Sequence, residues 1–253
     1  MVDRFRSSLR GKTQPCVEPD LRIPEGSSTH QGLSDGGGPS SVIRRDLVES
    51  PGWRNMETKR LAELRSAPNE YACELTMDPN TTHRDLSLSE DNRKVIVWGE
   101  DQSPEYPDHP ERFDCHYQVL CREALTGRCY WEVEIEEVVV IGVTYRGITR
   151  KGKGGASGLG WNNKSWILRW DKAGYTAVYN GIETVIHLPP AGSTRVGVYL
   201  DRPAGSLSFY RVSPGGGGSS DTLTHLHTFW SSFTQEDLLP AFAVWDYYST
   251  VSL

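Results

Sequence analysis

A glycine-rich stretch at residues 147–159 carries residue types that phosphate binding and nucleophilic catalysis use. Gly147 to Lys153 fits the spacing G-x-x-x-x-G-K of a phosphate-binding loop. That loop also needs a serine or threonine for Mg²⁺ and a helix whose N-terminus faces the anion, but Gly154 and more glycine follow. The next five residues approach the nucleophile elbow G-x-S-x-G but end in Leu159. We therefore interpret the stretch as a surface loop.

Histidines and carboxylates, the other groups able to bind a metal or move a proton, form no catalytic pattern. The seven histidines include no helical pair at metal-ligand spacing, and the pattern around His225 and His227 indicates a polar loop. Glu132, Glu134 and Glu136 alternate along one segment, which favours a solvated strand face over an acid–base pair. The sequence therefore predicts no metal site, no cofactor and no enzyme activity.

Tryptophan and tyrosine residues outside the regular strand patterns are the remaining candidates for function. Trp170 lies beside a turn, and Trp245, Tyr247 and Tyr248 share an irregular segment. Such side chains anchor protein partners because they supply a large contact area at low cost in conformational entropy. The alternative is that they cap the ends of the folded domain. We expect Trp170, Trp245 and Tyr247 to form one aromatic patch.

The elements that must position these side chains are short strands. From Trp131 to Glu136 apolar residues alternate with carboxylates, which predicts a strand with Trp131 in the core. Val138 to Val143 is apolar on both faces, which is typical of a central buried strand. Asn180-Gly181 predicts a tight hairpin. Turns recur about every eight to twelve residues without repeated helical crossovers, so the sequence predicts an all-β antiparallel sandwich.

Composition divides the 253 residues into a polar tail and an aromatic-rich domain. Residues 1–52 are rich in serine, glycine, proline and charge, which predicts disorder. Residues 53–70 contain a short helix, expected from Met56 to Arg65, and a linker. Residues 71–253 hold 16 basic and 23 acidic residues, so this domain lacks the basic surface of a protein that binds nucleic acid or an anionic membrane.

The cysteines and the apolar segments bear on the cellular compartment. Five cysteines are an odd number, and none are spaced C-x-x-C as in a zinc site or redox pair. No apolar run resembles a secretory signal or a membrane span. We therefore expect reduced thiols and a cytoplasmic location.

Several motifs follow one another in a fixed order through the aromatic-rich domain. They are LTMDPNTTHRDLSLSEDNRKV from Leu75, YPDHPERFD from Tyr106, LTGRCYWEVE from Leu125 and RVGVYLDRPAGSLSFYRV from Arg195. Together they resemble the PRY-SPRY domain, and most closely the C-terminal domains of fish tripartite-motif proteins or NACHT leucine-rich-repeat receptors. The resemblance implies a bent, concanavalin-like jelly-roll sandwich with a PRY segment at 71–125 and a SPRY segment at 126–253.

The resemblance also implies a site, because the family holds protein partners on variable loops at one end of the sandwich. Carried onto this chain, these loops are Gly99 to Glu105, Glu136-Glu137, Lys151 to Ser157, Arg169 to Lys172 and Trp245 to Tyr248. The candidate contact residues are Glu137, Lys151, Lys153, Arg169, Trp170, Asp171, Trp245, Tyr247 and Tyr248. Many relatives read LDYE where this chain has Leu200-Asp201-Arg202-Pro203, so no relative's partner is transferred.

The implied function is a non-catalytic protein–protein interaction module, the recognition domain of an innate-immune or ubiquitin-pathway protein. Its partner is expected to be a protein, with no nucleic acid and no membrane. The alternative is a sensor of a small phosphorylated ligand, which some family members bind in a basic pocket of the same sandwich. The basic residues that could line such a pocket are Arg150, Lys151, Lys153, Lys164 and Arg169.

Overall fold

The computed structural model describes residues 51–66, 70–97, 106–188, 193–216, 220–246 and 248–253, which contain one helix and thirteen strands. The helix is α1 (Pro51–Ser66), and within the described residues no helix is long and apolar enough to cross a membrane. The strands are β1 (Leu86–Ser89), β2 (Lys94–Val97), β3 (Gln118–Leu120), β4 (Arg128–Glu136), β5 (Val139–Tyr145), β6 (Ser165–Asp171), β7 (Gly174–Tyr179), β8 (Ile182–Ile186), β9 (Arg195–Asp201), β10 (Ser206–Ser213), β11 (Thr222–Trp230), β12 (Leu238–Val244) and β13 (Thr250–Ser252). Of the tail predicted to be disordered, residues 1–50 lie outside the described residues, whereas the prediction is wrong for residues 51 and 52, which belong to α1.

The strands form two antiparallel sheets that enclose one main core. The seven-stranded sheet has the order β1-β2-β13-β4-β9-β10-β11, and the six-stranded sheet has the order β3-β12-β5-β6-β7-β8. Side chains from both sheets, such as Trp131 and Val198 from one and Ile141 and Phe242 from the other, belong to the same buried cluster. The predicted all-β antiparallel sandwich is confirmed.

The two strands with the clearest sequence patterns have the predicted burial. In β4, Trp131, Val133 and Ile135 are buried, whereas Glu134 and Glu136 are exposed. Every residue of the central strand β5 is buried, because Val139, Ile141 and Val143 face the main core and Val140 lies in a second buried cluster on the other side of the sheet. Alternating apolar and polar residues therefore indicate a strand with one solvent-exposed face, and a continuous apolar run indicates a central strand.

The predicted hairpin is also present. Asn180 and Gly181 link β7 to β8 with φ angles of 50° and 72°. Positive φ at both central residues is what the commonest two-residue hairpin turn requires, and asparagine and glycine adopt it with the least strain.

The polar loop predicted around His225 and His227 is wrong, because both residues lie in β11. The pairing of β11 with β10 shifts by one residue, so that Phe209 faces His227, Tyr210 faces His225 and Leu226 has no opposite residue. Leu223 and Leu226 are both buried although they lie three residues apart. A β-bulge of this kind interrupts the alternation by which a strand is recognised in sequence.

Helix α1 packs on the outer surface of the seven-stranded sheet. Leu64 is buried there in a cluster with Tyr130, Tyr199, Tyr210, Val212 and Leu223. The buried guanidinium of Arg60 donates hydrogen bonds of 2.9 and 2.8 Å to the hydroxyl groups of Ser206 and Ser208. The same guanidinium lies 3.2 Å from the carboxylate of Glu57. The predicted short helix is therefore present, but it begins earlier, at Pro51, and docks through a polar residue.

The expectation that all cysteines are reduced is wrong in this structure, because Cys73 and Cys129 form a disulfide. Their Cα atoms are 5.7 Å apart, within the usual range for such bonds. The pair forms because the chain before β1 runs beside β4, where the Cys73 N–H donates to the Tyr130 carbonyl. Cys121 is a buried free thiol. The pairing could not be predicted from cysteine spacing in the sequence, since the two cysteines are 56 positions apart.

Removing the disulfide is expected to lower the free energy of unfolding by about 2 to 4 kcal/mol, because the unfolded chain regains the freedom of a long loop. Cys73→Ala is the better variant, since Cys73 is half-buried whereas Cys129 is fully buried. Urea denaturation with and without reductant measures the loss. Cys115→Ala, which leaves the Cys73–Cys129 bond in place, is the control. Equal midpoints for the oxidised protein and Cys73→Ala would show that the bond does not restrain folding.

Candidate protein-interaction surface

Three connections lie at one end of the sandwich, which we call the loop end. They are the β4–β5 turn at Glu137, the β6–β7 turn at Asp171–Gly174, and the described residues 245–246 and 248–249 between β12 and β13. The carboxylate of Glu137 is 3.4 Å from the ammonium group of Lys172. The Ser249 hydroxyl accepts hydrogen bonds of 3.2 Å from Val138 N–H and 3.3 Å from Asp246 N–H. These contacts join all three connections. The loop end therefore has defined geometry without any partner.

Arg169 lies on the outward surface of the six-stranded sheet next to the loop end. Its guanidinium donates to both carboxylate oxygens of Glu183, at 2.8 and 3.2 Å, and lies 3.5 Å from Asp171. In the strand register, Arg169 is opposite Thr176 on β7 and Val140 on β5. Two carboxylates thus hold one guanidinium in a fixed orientation on this surface.

The two tryptophans predicted to share a patch lie on opposite sides of the six-stranded sheet. Trp170 packs against the main core, with its ring centre 4.6 Å from that of Tyr175. Trp245 packs against the cluster on the outward side of the sheet, which includes Val140 and Ala243. The physical reason is that β6 continues to Asp171, so that Arg169 points outward and Trp170 points inward. The expected single patch of Trp170 and Trp245 is therefore not formed.

The two tyrosines among the candidate contact residues, Tyr247 of the predicted patch and Tyr248 beside it, differ in what can be said of them. Tyr247 lies outside the described residues. Tyr248 has 78% of its surface exposed and a φ of 73°, so its ring stands in solvent at the loop end. A bulky residue with positive φ is uncommon and costs conformational energy, which the surrounding contacts must offset.

Lys151 and Lys153 lie in the glycine-rich loop, which packs on the same side of the six-stranded sheet as Arg169. The Lys151 ammonium donates a 2.8 Å hydrogen bond to the carbonyl of Arg112, while Lys153 is exposed. Gln118 of β3 donates to the Ser157 carbonyl at 2.9 Å and accepts from Leu159 N–H at 2.7 Å. The Gln118 side chain therefore holds this loop beside β12, which leads to Trp245.

Sequence reasoning missed the part of the surface contributed by β7 and β8. The register places Thr176, Glu183 and Val185 on the same outward side as Arg169. We call this side, with Val140, Arg169, Thr176, Glu183, Val185, Ala243 and Trp245, the outer face. Only the alternation of β8 next to the Asn180-Gly181 turn could have indicated these positions.

The basic residues suggested for a phosphate pocket do not converge. Arg150 donates to the carboxylate of Glu111 at 3.0 Å and to the carbonyl of Arg146 at 2.9 Å. Burial lowers the pKa of the Arg150 guanidinium, and Glu111 opposes that shift. Lys164 donates to the Gly147 carbonyl at 2.7 Å, and Arg169 is held by Glu183 across the sheet. These cations serve separate contacts, so the geometry does not favour the phosphate-sensor alternative.

A cavity of about 660 Å³ lies at the end of the sandwich opposite the loop end, where β5 finishes and β12 begins. Its charged lining residues are Asp78, Glu111, Arg122, Arg146, Arg150, Glu236 and Asp237. Arg146 pairs with Asp237 at 3.2 Å, and Arg150 pairs with Glu111 at 3.0 Å. Because these arginines are matched by carboxylates, the cavity is not a basic pocket either.

Family models match most of the described sandwich. The SPRY-associated domain PRY matches residues 75–125, and the SPRY domain matches residues 128–252. Stonustoxin subunit beta of Synanceia horrida is 45% identical over 177 residues, which cover 70% of this chain and 24% of the toxin subunit. Tripartite motif-containing protein 16 of Mus musculus is 39% identical over 168 residues, which cover 66% of this chain and 29% of that protein.

Solved structures agree with these matches. The TRIM65 PSpry domain superposes with a TM-score of 0.63 and 28% identity, covering 75% of this chain and 95% of that one. The chain itself spans about a quarter of the length of the curated relatives named above. SPRY domains bind protein partners, and this sandwich is a protein-interaction module of that kind. The chain belongs to the family of PRY-SPRY domain proteins.

Proposed function

We propose that this chain recognises a protein partner through the loop end and the outer face, and that it does so without catalysis. The observation that carries the proposal is the placement of Arg169 and Trp245 on one side of one sheet, joined through Val140 and Ala243. Arginine and tryptophan are the residue types most enriched among energetically dominant contacts between proteins. The orientation of Arg169 is set before binding by Glu183, which lowers the entropy cost of its use.

We further propose that the module is the recognition domain of an innate-immune or ubiquitin-pathway protein. Its similarity to tripartite motif-containing protein 16 of Mus musculus supports this assignment. The excess of acidic residues in the sandwich supports a protein ligand over nucleic acid or an anionic membrane.

We also propose that the protein is cytoplasmic. The Cys73–Cys129 disulfide opposes this location, because structural disulfides persist mainly in oxidising compartments. The thiol state of Cys73 and Cys129 in intact cells tests it. Because Cys129 is buried, cells are quenched in acid and the protein is alkylated under denaturing conditions. Both cysteines of a cytoplasmic protein should then be modified, and protection of both until reductant is added would exclude a reducing compartment.

Partner binding is tested by placing a photo-crosslinking amino acid at Tyr248, which is exposed at the loop end. The control position is Arg128, which begins β4 at the opposite end of the sandwich. A protein cross-linked from position 248 and not from position 128 is the expected result. Equal labelling from both positions would show that the loop end is not the recognition surface.

With the cross-linked protein in hand, Arg169→Ala is expected to weaken its binding about 10-fold to 100-fold. Arg169→Lys should recover little, because an ammonium group cannot reproduce the planar two-point contact. Arg128→Ala removes a half-exposed arginine paired with Asp201 and serves as the matched control. Unchanged affinity for Arg169→Ala, in a protein with an unchanged melting temperature, would remove Arg169 from the site.

A further inference from the structure

The two open sheets have four edge strands, and three of them are protected within the described residues. Edge strands carry unpaired N–H and C=O groups that can pair with another chain unless the protein covers or distorts them. On β1, the Leu88 N–H donates to the Tyr106 hydroxyl. On β3, Asp78 N–H donates to the Leu120 carbonyl, and Leu120 N–H donates to the Thr81 hydroxyl. The β-bulge in the β10–β11 pair distorts β11.

The fourth edge, β8, has none of these protections from any residue that the structure describes. Among the described residues, backbone ladder bonds reach β8 from β7 alone. Its sequence contains no proline and no lysine, and its single charge, Glu183, is engaged by Arg169. Ile182 and Val185 are 53% and 57% exposed, so the edge presents aliphatic side chains to solvent. Proteins usually place charge or proline at such an edge, so β8 is open to strand addition.

The sequence of β8 is complementary to itself in one antiparallel register. With Thr184 on a two-fold axis, Ile182 faces Ile186 of the second copy, and Glu183 faces Val185 of the second copy. No like charges oppose each other in this register. Ile186 packs against the main core, so Ile182 of the second copy would extend that apolar layer.

We propose that β8 pairs with β8 of a second copy of this chain about a two-fold axis at Thr184, joining the two six-stranded sheets into one. A symmetric contact of this kind uses one patch on both copies, which is the commonest arrangement of homodimers. A second copy is favoured over an extended segment of another protein, because in this register the isoleucines of β8 face each other and Glu183 faces the uncharged Val185. Glu183 and Val185 also belong to the outer face, but the pairing uses the backbone groups of the β8 edge and does not rest on the partner binding proposed above.

The pairing is short and the chain carries a net charge of −6, so the association is expected to be weak and to strengthen with salt. Sedimentation equilibrium of the full chain should show its mass rising from monomer toward dimer between ~10 and ~500 µM, and more steeply in high salt. A purely monomeric mass up to the highest concentration would overturn the proposal.

Charge substitution at Val185 tests the register itself. Val185→Glu puts a second carboxylate opposite Glu183 of the other copy, twice in each dimer, and should weaken association at least ~10-fold. Val185→Lys puts an ammonium group opposite the same carboxylate and should retain or strengthen it. Thr222→Glu, on the exposed edge strand β11, adds the same charge away from β8 and should change little. Equal loss in both Val185 variants, or none in Val185→Glu, would overturn the pairing.

Amide hydrogen exchange supplies a second readout that does not depend on mass. Exchange in β8 should slow as the wild-type concentration rises, because the free edge acquires hydrogen-bond partners, and should not slow in Val185→Glu. Melting temperatures should be alike, since position 185 is exposed in the monomer. Slowing at β11 in place of β8 would assign the contact to the wrong edge and overturn the proposal.

Discussion

Replacing Trp131 with alanine is expected to lower the free energy of unfolding by about 3 to 5 kcal/mol. Trp131 exposes only 4% of its surface and lies in the main core, opposite Val198 on β9. Truncation leaves a cavity between two sheets whose strands are held by their ladders, so the space can close only in part. Since domains have a total stability of about 5 to 15 kcal/mol, urea denaturation should show a large shift in midpoint.

Two further variants separate the cavity from other effects. Trp131→Phe keeps an aromatic ring and removes the indole N–H, which is buried and has no hydrogen-bond partner among the described residues, so it should cost less than alanine. Glu134→Ala, on the exposed side of the same strand, should change stability by less than ~0.5 kcal/mol. A wild-type midpoint for Trp131→Ala would mean that the tryptophan does not lie between the sheets.

The fold could be predicted from sequence because its main signals are local. The alternation around Trp131, the two-sided apolar run of β5 and the Asn180-Gly181 turn each depend on residues within one strand or turn. Local signals of this kind determine how each segment folds, and the number of short strands then determines the class of sandwich. The helix was predictable for the same reason, since Leu61 and Leu64 are three residues apart.

The features that the sequence did not reveal all depend on contacts between distant segments. Cys73 meets Cys129 only because two segments lie side by side across a parallel bridge at Ala72 and Tyr130. Arg60 would ordinarily be expected in solvent, yet it is buried because hydroxyl groups on β10 accept its hydrogen bonds. A long polar side chain becomes buried only when the tertiary structure supplies such partners.

The sequence predicted which loops contribute to the candidate site, but it did not predict which side chains share one surface. Sequence reasoning chose Trp170 for its aromatic ring, but the neighbouring Arg169 is the residue that reaches the outer face. If the pairing of a strand shifts by one residue, every side chain of that strand moves to the opposite face of the sheet. The end of β6 therefore had to be known before either residue could be placed.

Acidification from pH 7 to pH 4 is expected to remove roughly 3 kcal/mol of stability for each of two histidines in β11. Burial lowers the pKa of His225 and of His227 to about 4, and the positive charges of His227 and Arg60 add to the shift at His225. The His225 ring nitrogen lies 2.8 Å from the Thr228 hydroxyl, and the His227 ring packs 4.5 Å from that of Phe229. Both imidazoles are therefore neutral at pH 7.

Acid lowers the stability because the unfolded chain binds more protons at these histidines than the folded protein does. Because the pKa in the folded protein is below the unfolded value of about 6.5, the unfolded chain binds more protons between pH 6.5 and pH 4. The stabilisation is complete above pH 6.5 and is lost as pH falls toward 4. Burial lowers the pKa of His83 and of His116 as well, so these residues act in the same direction. Glu57 acts in the opposite direction, because burial raises its pKa and its protonation favours the folded state.

The double variant His225→Gln, His227→Gln separates this contribution from the other titrating groups, since glutamine stays neutral throughout. Stability measured by urea denaturation at several pH values should fall less steeply between pH 6.5 and pH 4 in the variant than in the wild type. Its absolute stability at pH 7 is not the criterion, because glutamine packs differently from imidazole. If the two pH profiles are parallel, the histidines titrate alike in the folded and unfolded chain, and β11 does not bury them as the bulged register requires.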